Sequence, residues 1–349
     1  MSTGVTYKVG IVGAGFGARV HLPAFAAHPK FEVAAIASPS KARDIAAQRN
    51  IPHAFASCEE MLQGCDLDVV SVASPPFMHH ADVLAALDAR KHVICEKPLA
   101  LNVAQAQAML TAARDAGTAA AVMHEFRWIP QRIALKELVE NGHLHPLREI
   151  EIAQLTGTLR ADRAERHRGW WFSRESGGGM AGAILSHAID AANWFAGRQP
   201  LRVNGFIRTA NTLRRDSSGP FESTVDDGAF ALLDYGEGLV ARLAVDATVA
   251  VDSSTYALHA ENRTAVASGT LPHELRLFSI DEDETSELEC TPSPYYKFAA
   301  VDPLVPYVMQ LLDAFALQIE TGSSKVPTFE DALHTQRVLE AIGFGERPV

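Results

Sequence analysis

Short apolar runs alternate with helix-like segments through the first third of the chain. The strand-like runs are Tyr7–Val12, Phe31–Ala37, Asp68–Ala73, His92–Cys95 and Thr118–Met123, with a weaker one at His53–Phe55. Between them, apolar residues recur at helical spacing over residues 16–28, 40–49, 57–63, 79–90 and 102–116. Strands this apolar need cover on both faces, so the pattern predicts a doubly wound parallel sheet flanked by helices.

The pattern changes after residue 123. A helical stretch at 130–141 and a Gly- and Trp-rich region around 169–187 come first, and runs of alternating apolar and polar residues follow. These runs are 202–209, 228–235, 239–249, 256–260, 264–267 and 275–280. We therefore predict an α/β chain with one domain at 1–123 and a second, α+β domain at 124–349, whose large open sheet is mostly antiparallel.

Composition fits two globular domains and excludes several classes of function. The 349 residues are 47% hydrophobic and 21% charged. A net charge of -11 repels phosphate backbones, so nucleic acid is not an expected partner. Apolar runs stop well short of the roughly 18 residues of a membrane span, and no membrane partner is expected. The four cysteines show no Cys-x-x-Cys spacing, which favours a reducing, cytoplasmic setting.

A glycine-rich turn follows the first predicted strand. It reads Val12-Gly13-Ala14-Gly15-Phe16-Gly17-Ala18. Gly13 permits the tight turn, and Gly15 lets the backbone approach a pyrophosphate at the positive end of the next helix. Because the turn opens a helix inside a βαβ series, dinucleotide binding is favoured over an ordinary tight turn. Residues 1–123 are thus predicted to form a Rossmann domain, with Gly13, Gly15, Phe16 and Gly17 at the cofactor.

The end of the second strand bears on the choice of cofactor. An acidic residue there would bind the ribose 2′-hydroxyl of NAD. This chain has Ser38, Lys41 and Arg43 in that region and no carboxylate. Ser38 and Arg43 are therefore predicted to favour the 2′-phosphate of NADP, with NAD as the alternative. A helix start capped at Ser40, with solvated basic residues, stays open.

Further candidates for cofactor binding follow the fourth and fifth strands, whose carboxyl ends share one sheet edge. Ser74, Pro75 and His79 follow the fourth strand, while Glu96 and Lys97 follow the fifth. Ligands of doubly wound sheets bind outside this edge. An ammonium placed there can hydrogen-bond a reacting oxygen and stabilise charge during hydride transfer. The alternative for Lys97 is a plain surface ion pair.

The order of these motifs resembles that of the Gfo/Idh/MocA family of oxidoreductases along nearly the whole chain. The shared elements are the glycine turn at 13–18, Ser74-Pro75-Pro76-Phe77-Met78-His79, Glu96-Lys97-Pro98, Arg127 with Pro130, Gly177-Gly178-Gly179, His187-x-x-Asp190 and Val338-Leu339-Glu340-Ala341-Ile342. In the family, the lysine lies beside the nicotinamide and the substrate hydroxyl, and the glutamate positions cofactor and lysine. The resemblance gives these roles to Lys97 and Glu96, and adds Arg127 as a substrate-binding candidate.

The predicted helix after Gly179 carries the second catalytic candidate, His187. Many family members have an aspartate four residues before this histidine, where the pair serves proton transfer, but this chain has Ala183. A histidine is still a competent general base at neutral pH. A core histidine bonded to the backbone is the alternative. Asp190, a predicted substrate-binding residue, either orients His187 or caps a neighbouring segment. The glycines at 177–179 bring the backbone close to the nicotinamide or act as a loop spacer.

The loop at 160–171 gathers four arginines and two tryptophans. Arginines bind carboxylates and tryptophan faces stack on sugar rings, so Trp171 is a substrate-binding candidate and an acidic substrate is conceivable. A solvated loop with packed tryptophans is the alternative. The pairs His79-His80 and His143-x-His145 have no acidic residue or cysteine at ligand spacing, and no metal is predicted.

Together these features predict an NAD(P)-dependent dehydrogenase or reductase acting on CH-OH groups of a sugar, polyol or related cyclic compound, with Lys97 and His187 assisting proton transfer. Two alternatives stay open, a non-catalytic NAD(P)-binding sensor or regulator and an NAD-dependent glycosidase. The resemblance also implies a homodimer or homotetramer formed through the C-terminal sheet.

Overall fold

A computed structural model of the protein describes residues 6–161, 168–269, 274–280 and 285–345. The chain divides into two compact units. The first contains Met1–Trp128 and Ser293–Leu333, and the second contains Ile129–Pro292 and His334–Val349. The predicted boundary at 123 lies close to the end of the first segment. The return of residues 293–333 to the first unit was not predicted.

The described residues contain sixteen strands and nine α-helices. The strands are β1 Tyr7–Val12, β2 Phe31–Ala37, β3 His53–Phe55, β4 Val69–Val72, β5 His92–Cys95, β6 Ala120–Val122, β7 Leu147–Leu155, β8 Arg202–Arg208, β9 Leu213–Asp216, β10 Gly219–Glu222, β11 Gly228–Gly236, β12 Leu239–Asp246, β13 Ser253–Ala260, β14 Arg263–Gly269, β15 Glu274–Ser279 and β16 Ser286–Glu287. The helices are α1 Leu22–Ala27, α2 Ala42–Arg49, α3 Cys58–Gly64, α4 Pro76–Asp88, α5 Val103–Ala116, α6 Pro130–Glu140, α7 Ser186–Ala196, α8 Val305–Thr321 and α9 Phe329–Ala341. Two π-helical turns, Gly17–His21 and Ala181–Leu185, run directly into α1 and α7.

The first unit is built on a six-stranded parallel sheet in the order β3-β2-β1-β4-β5-β6. Val9 of β1 lies opposite Val33 of β2 and Val69 of β4, and Val9 and Val69 are fully buried. The predicted doubly wound sheet is confirmed. Its carboxyl edge brings together the residues that follow β1, β4 and β5.

Helix α8 explains why residues 293–333 join the first unit. Its side chains Val308, Leu312 and Phe315 are fully buried in the same cluster as Ile11 and Phe25. Each apolar side chain removed from water in this way stabilises the fold by about 1.5–3 kcal/mol. The segment after α8 also forms an antiparallel bridge between Thr328 and Ala121 of β6.

The second unit contains an eight-stranded sheet in the order β16-β15-β14-β13-β7-β12-β11-β8 and a separate β9-β10 hairpin. Among the described strands of the large sheet, only β7 and β12 pair in parallel. The prediction of a large, mostly antiparallel sheet is confirmed. One face packs on α7, whose Ala188 and Ile189 are fully buried in the core of this unit. Within the described ranges, no helix has the length and apolarity that crossing a membrane requires.

Candidate functional site

The glycine turn after β1 combines a position that needs glycine with a position that faces open space. Gly13 has a φ of +116°, and a Cβ there would lie 2.2 Å from the carbonyl oxygen of Ala73. Its N–H donates to the Ala37 carbonyl at 2.9 Å. A Cβ on Gly15, by contrast, would meet nothing within 4 Å. The turn is therefore held tightly at Gly13 and leaves room for a ligand at Gly15, as a dinucleotide pyrophosphate requires.

The segment after β2 presents its basic side chains to solvent. Ser38 is half-buried, and its N–H donates to the Phe55 carbonyl at 3.0 Å. Lys41 and Arg43 are exposed. Helix α2 begins at Ala42 after Lys41 and without a side-chain cap, so the predicted alternative of a cap at Ser40 is wrong, whereas its solvated basic residues agree with the exposed Lys41 and Arg43. The geometry leaves Arg43 accessible to a phosphate.

Near the end of β4, the side chains of Ser74 and His79 form hydrogen bonds within the first unit. The Ser74 hydroxyl donates to Asp82 at 2.7 Å. The His79 ring is fully buried, with its nitrogens 2.8 Å from the Ser74 carbonyl and 3.1 Å from the Pro98 carbonyl. Burial lowers the pKa of His79, and a neutral imidazole carries one N–H. A ring with one N–H donates to only one of these two carbonyls, one of which lies in the loop after β4 and the other in the loop after β5. Pro75 occupies the position just before α4.

Glu96, directly after β5, is held by a histidine that the sequence did not single out. His21 Nε2 lies 2.9 Å from Glu96 Oε1, and His21 Nδ1 lies 2.8 Å from the Ser71 hydroxyl. Burial raises the pKa of Glu96, but the hydrogen bond from His21 and the charge of Lys97 outweigh it and lower the pKa overall. Lys97 itself is half-buried. A charged carboxylate is therefore maintained beside Lys97.

Arg127 lies in the short 3₁₀ helix Glu125–Trp128 of the first unit. Its guanidinium is 3.5 Å from the Asp331 carboxylate, and its side chain is 10% exposed. Part of its charge is therefore balanced within the unit. Its predicted contact with substrate stays a prediction.

In the second unit, His187 and Asp190 lie on α7 and are each 2% exposed. The charge of Asp190 acts on Tyr256, whose pKa is raised chiefly by burial. Arg132, also buried, lies over the Tyr256 ring at 4.0 Å from its centroid. Asp190 therefore belongs to a buried polar group with Arg132 and Tyr256. The roles of Asp190 in orienting His187 and in substrate binding stay predictions.

The glycines before α7 bring the backbone against other parts of the second unit. A Cβ on Gly178 would lie 2.0 Å from the Trp171 carbonyl, and one on Gly179 would lie 2.3 Å from Asp226 Oδ1. The other oxygen of Asp226 accepts the Ala181 N–H at 2.6 Å. These close approaches explain two of the three glycines without any ligand.

The arginine-rich loop is only partly described. Arg168 makes two hydrogen bonds of 3.1 Å to Asp216 of β9, so it holds the β9-β10 hairpin. Arg163 and Arg166 lie outside the described residues. Trp171 is half-buried, edge-on to Phe172 with ring centroids 5.2 Å apart. In the part of the chain that the structure describes, no three His, Cys, Asp or Glu side chains are grouped as metal ligands.

Comparison with known proteins agrees with this arrangement. A family model described as an oxidoreductase family with an NAD-binding Rossmann fold matches residues 7–124, and the model of the GFO/IDH/MocA C-terminal domain matches residues 133–266. Together the two models span most of the chain. The N-terminal match covers the glycine turn and the residues after β4 and β5.

Three relatives illustrate the range of the similarity. Uncharacterized oxidoreductase sll0816 of Synechocystis sp. is 34% identical over 58% of this chain and 55% of its own, so the match spans about half of that relative. D-xylose 1-dehydrogenase (NADP(+)) 2 of Haloferax volcanii is 29% identical over 95% of both chains. Levoglucosan dehydrogenase of Pseudarthrobacter phenanthrenivorans is 25% identical over 91% of this chain and 86% of its own.

A solved structure of levoglucosan dehydrogenase in complex with NADH matches with a TM-score of 0.84. It is 23% identical, and the match covers 97% of this chain and 96% of the other. The two chains therefore share a fold. On the two family matches and this fold, the chain belongs to the Gfo/Idh/MocA family of oxidoreductases, with an NAD-binding Rossmann domain at its N-terminal end.

Proposed function

We propose that the protein is an NAD(P)-dependent oxidoreductase that transfers hydride between nicotinamide and a secondary alcohol or carbonyl of a sugar, polyol or related cyclic compound. The observation that carries the proposal is the position of Glu96 and Lys97. They follow β5, two strands from β1 and its glycine turn, at the same carboxyl edge of the sheet. Doubly wound sheets bind their ligands at this edge, so both charged side chains lie where a ligand is expected.

The residues at this edge fit a dinucleotide. The space beside Gly15 suits a pyrophosphate, and the basic segment after β2 suits the ribose end. When bound, the nicotinamide supplies the hydride acceptor or donor. NADP is favoured over NAD because residues 38–43 contain no carboxylate, while Arg43 is exposed. Arginine binds phosphate oxygens through several N–H donors at once.

The chain's own side chains would manage the proton and the developing charge. In the oxidative direction, the Lys97 ammonium polarises the substrate oxygen and His187 accepts the hydroxyl proton. The charge of Lys97 favours the ionised form of Glu96, so a negative charge is kept beside the ammonium. Arg127, Trp171 and Asp190 remain the candidates for binding the substrate hydroxyls.

The substrate class is supported by the relatives. The names of two of them, a D-xylose dehydrogenase and a levoglucosan dehydrogenase, refer to carbohydrates. Both matches cover more than four fifths of each chain. A carbohydrate or polyol carrying a secondary hydroxyl is therefore the first class to test.

We propose further that the open face of the large sheet forms a homodimer or homotetramer. On this face Phe206 is 58% exposed and Leu232 is 47% exposed. A shallow depression of about 420 Å³ lies between them, lined also by Phe230 and Arg242. Exposed apolar surface of this kind marks an interaction site. Light scattering on wild-type and Leu232→Asp protein tests this: a monomeric wild type contradicts it.

We also propose a cytoplasmic location, as the sequence predicts from four cysteines without close pairing. Cell fractionation checks it. Recovery of the protein from a periplasmic or secreted fraction would contradict it.

One experiment tests the activity. Purified protein is titrated with NADP and NAD, and nicotinamide absorbance is then followed with a panel of sugars and polyols. We expect turnover of at least one compound, which Lys97→Ala removes. Cofactor binding without any redox change would favour the sensor. Cleavage of a glycoside with no net change in cofactor would favour the glycosidase.

A further inference from the structure

Three buried polar side chains form a continuous hydrogen-bonded chain beneath the cofactor edge. Ser71 lies on β4, His21 ends the π-helical turn after the glycine turn, and Glu96 follows β5. Ser71 and His21 are fully buried and Glu96 is 7% exposed. The contacts measure 2.8 Å from Ser71 to His21 and 2.9 Å from His21 to Glu96. His21 is thereby joined to Ser71, 50 positions later in the sequence, and to Glu96, 75 positions later.

The chemistry of the carboxylate fixes the direction of the hydrogen bond between His21 and Glu96. A carboxylate only accepts, so His21 Nε2 donates to Glu96 Oε1. The Ser71 hydroxyl, which can donate or accept, satisfies His21 Nδ1 at 2.8 Å. The second oxygen of Glu96 accepts the backbone N–H of Lys97 at 3.2 Å. Both carboxylate oxygens are thereby held, one by His21 and one by the residue proposed to act in catalysis.

His21 also contacts the glycine turn. The Phe16 ring meets the His21 ring edge-on, at a centroid distance of 5.6 Å and an angle of 81°. The turn that carries His21 begins at Gly17, where a Cβ would lie 3.1 Å from Ala73. Such π-helical turns are rare and occur frequently at functional sites. One side chain therefore touches both the glycine turn and Glu96.

We infer that His21 is a positioning residue that fixes Glu96, and through it Lys97, relative to the glycine turn. The inference rests on the proposed function, since it concerns the geometry of the same edge. A displacement of reacting groups by about 1 Å can lower a rate about 100-fold.

Two conservative substitutions separate the two contacts of His21. The amide nitrogen of Gln reaches the place of Nε2, and that of Asn reaches the place of Nδ1. His21→Gln therefore keeps the donor to Glu96, whereas His21→Asn keeps only the contact with Ser71. We expect His21→Asn to lower kcat about 10- to 100-fold and His21→Gln to stay within about 3-fold of wild type. His53→Asn, at an exposed histidine of β3, is the matched control.

Two measurements do not depend on turnover. The ¹⁵N NMR signals of His21 in the unmodified, cofactor-free protein should show a proton on Nε2, the nitrogen that contacts Glu96. NADPH affinity, followed by nicotinamide fluorescence, should fall several-fold in His21→Asn and not in His21→Gln. Equal losses of affinity in both variants, no loss in either, or a proton on Nδ1 in place of Nε2 would overturn the inference. If no substrate is turned over, the proposed function fails, but these measurements still decide the role of His21.

Discussion

The carboxylate of Asp226 accepts the backbone N–H of Ala181 at 2.6 Å, at the start of the helical segment that carries His187. The same carboxylate packs against Gly179, whose φ of +103° is a backbone conformation that residues with a side chain rarely adopt. Burial raises the pKa of Asp226 to about 6, although the Ala181 N–H opposes the shift. One buried acid thus anchors the entry to α7.

The raised pKa of Asp226 predicts a pH-dependent stability. The folded protein binds this proton more tightly than the unfolded chain, so the free energy of unfolding should fall as pH rises from 3.8 to about 6. The loss should be on the order of 2 kcal/mol. Asp226→Asn keeps an acceptor for Ala181 but does not titrate, so this part of the slope should disappear. Urea unfolding, followed by tryptophan fluorescence across this pH range, measures it.

Asp226→Ala is the control for the hydrogen bond. It removes the acceptor and leaves the Ala181 N–H buried, so its free energy of unfolding should lie about 1–3 kcal/mol below that of Asp226→Asn at every pH. An Asp226→Asn variant with the same pH slope as wild type would show that the slope originates in other groups.

The glycine turn predicts opposite effects at two neighbouring positions. Gly13→Ala places a Cβ 2.2 Å from the Ala73 carbonyl at a φ of +116°, so it should lower the free energy of unfolding by at least about 3 kcal/mol. Gly15→Ala projects into open space and should change stability by no more than about 0.5 kcal/mol. It should nevertheless weaken NADP binding at least about 10-fold, because the added methyl occupies the place of the pyrophosphate. Thermal unfolding and cofactor titration of both variants check this, and unchanged affinity in Gly15→Ala would contradict the placement.

The choice of cofactor depends on Arg43 in the proposed arrangement. Removing a charged partner of a phosphate costs about 1.5–3 kcal/mol. Arg43→Ala should therefore raise the Kd for NADP about 10- to 100-fold and leave that for NAD unchanged. Arg49→Ala, at the other end of α2, is the matched control and should alter neither. Equal effects of Arg43→Ala on both cofactors would remove Arg43 from 2′-phosphate binding.

The sequence predicted the sheet of the first unit because each of its strands is a local apolar run. It did not predict β7 or α8. Glu149 and Glu151 on β7 form ion pairs with Arg242 on the neighbouring strand β12, and no local sequence pattern reveals such a contact. Helix α8 begins after Leu304 and has Pro306 in its first turn, but it lacks the capping Ser, Thr, Asp or Asn that marks most helix starts.

The difference between local patterns and distant contacts also explains which site residues the sequence predicted. The glycine turn and Glu96-Lys97 are short motifs that can be recognised from neighbouring residues alone. His21 has no such motif, because its partners, Ser71 on β4 and Glu96 after β5, are 50 and 75 positions away in the sequence. Asp226 was missed likewise, since its importance comes from a contact with Ala181, 45 residues away. One feature of the sequence could have indicated His21: it lies in the helical turn that directly follows the glycine turn.

Lys97 is the residue on which the proposed chemistry depends most. Lys97→Met removes the ammonium while keeping much of the side-chain volume, and we expect kcat to fall about 10²- to 10⁴-fold. NADPH binding should change less than about 3-fold, because the glycine turn and the segment after β2 supply most of the proposed binding energy. Lys97→Arg should recover only part of the rate, since a planar guanidinium cannot replace a compact ammonium. Lys91→Met, at the opposite end of β5, is the matched control and should keep the wild-type kcat. Steady-state kinetics and NADPH titration of the three variants measure these effects, and a wild-type kcat in Lys97→Met would exclude Lys97 from the chemical step.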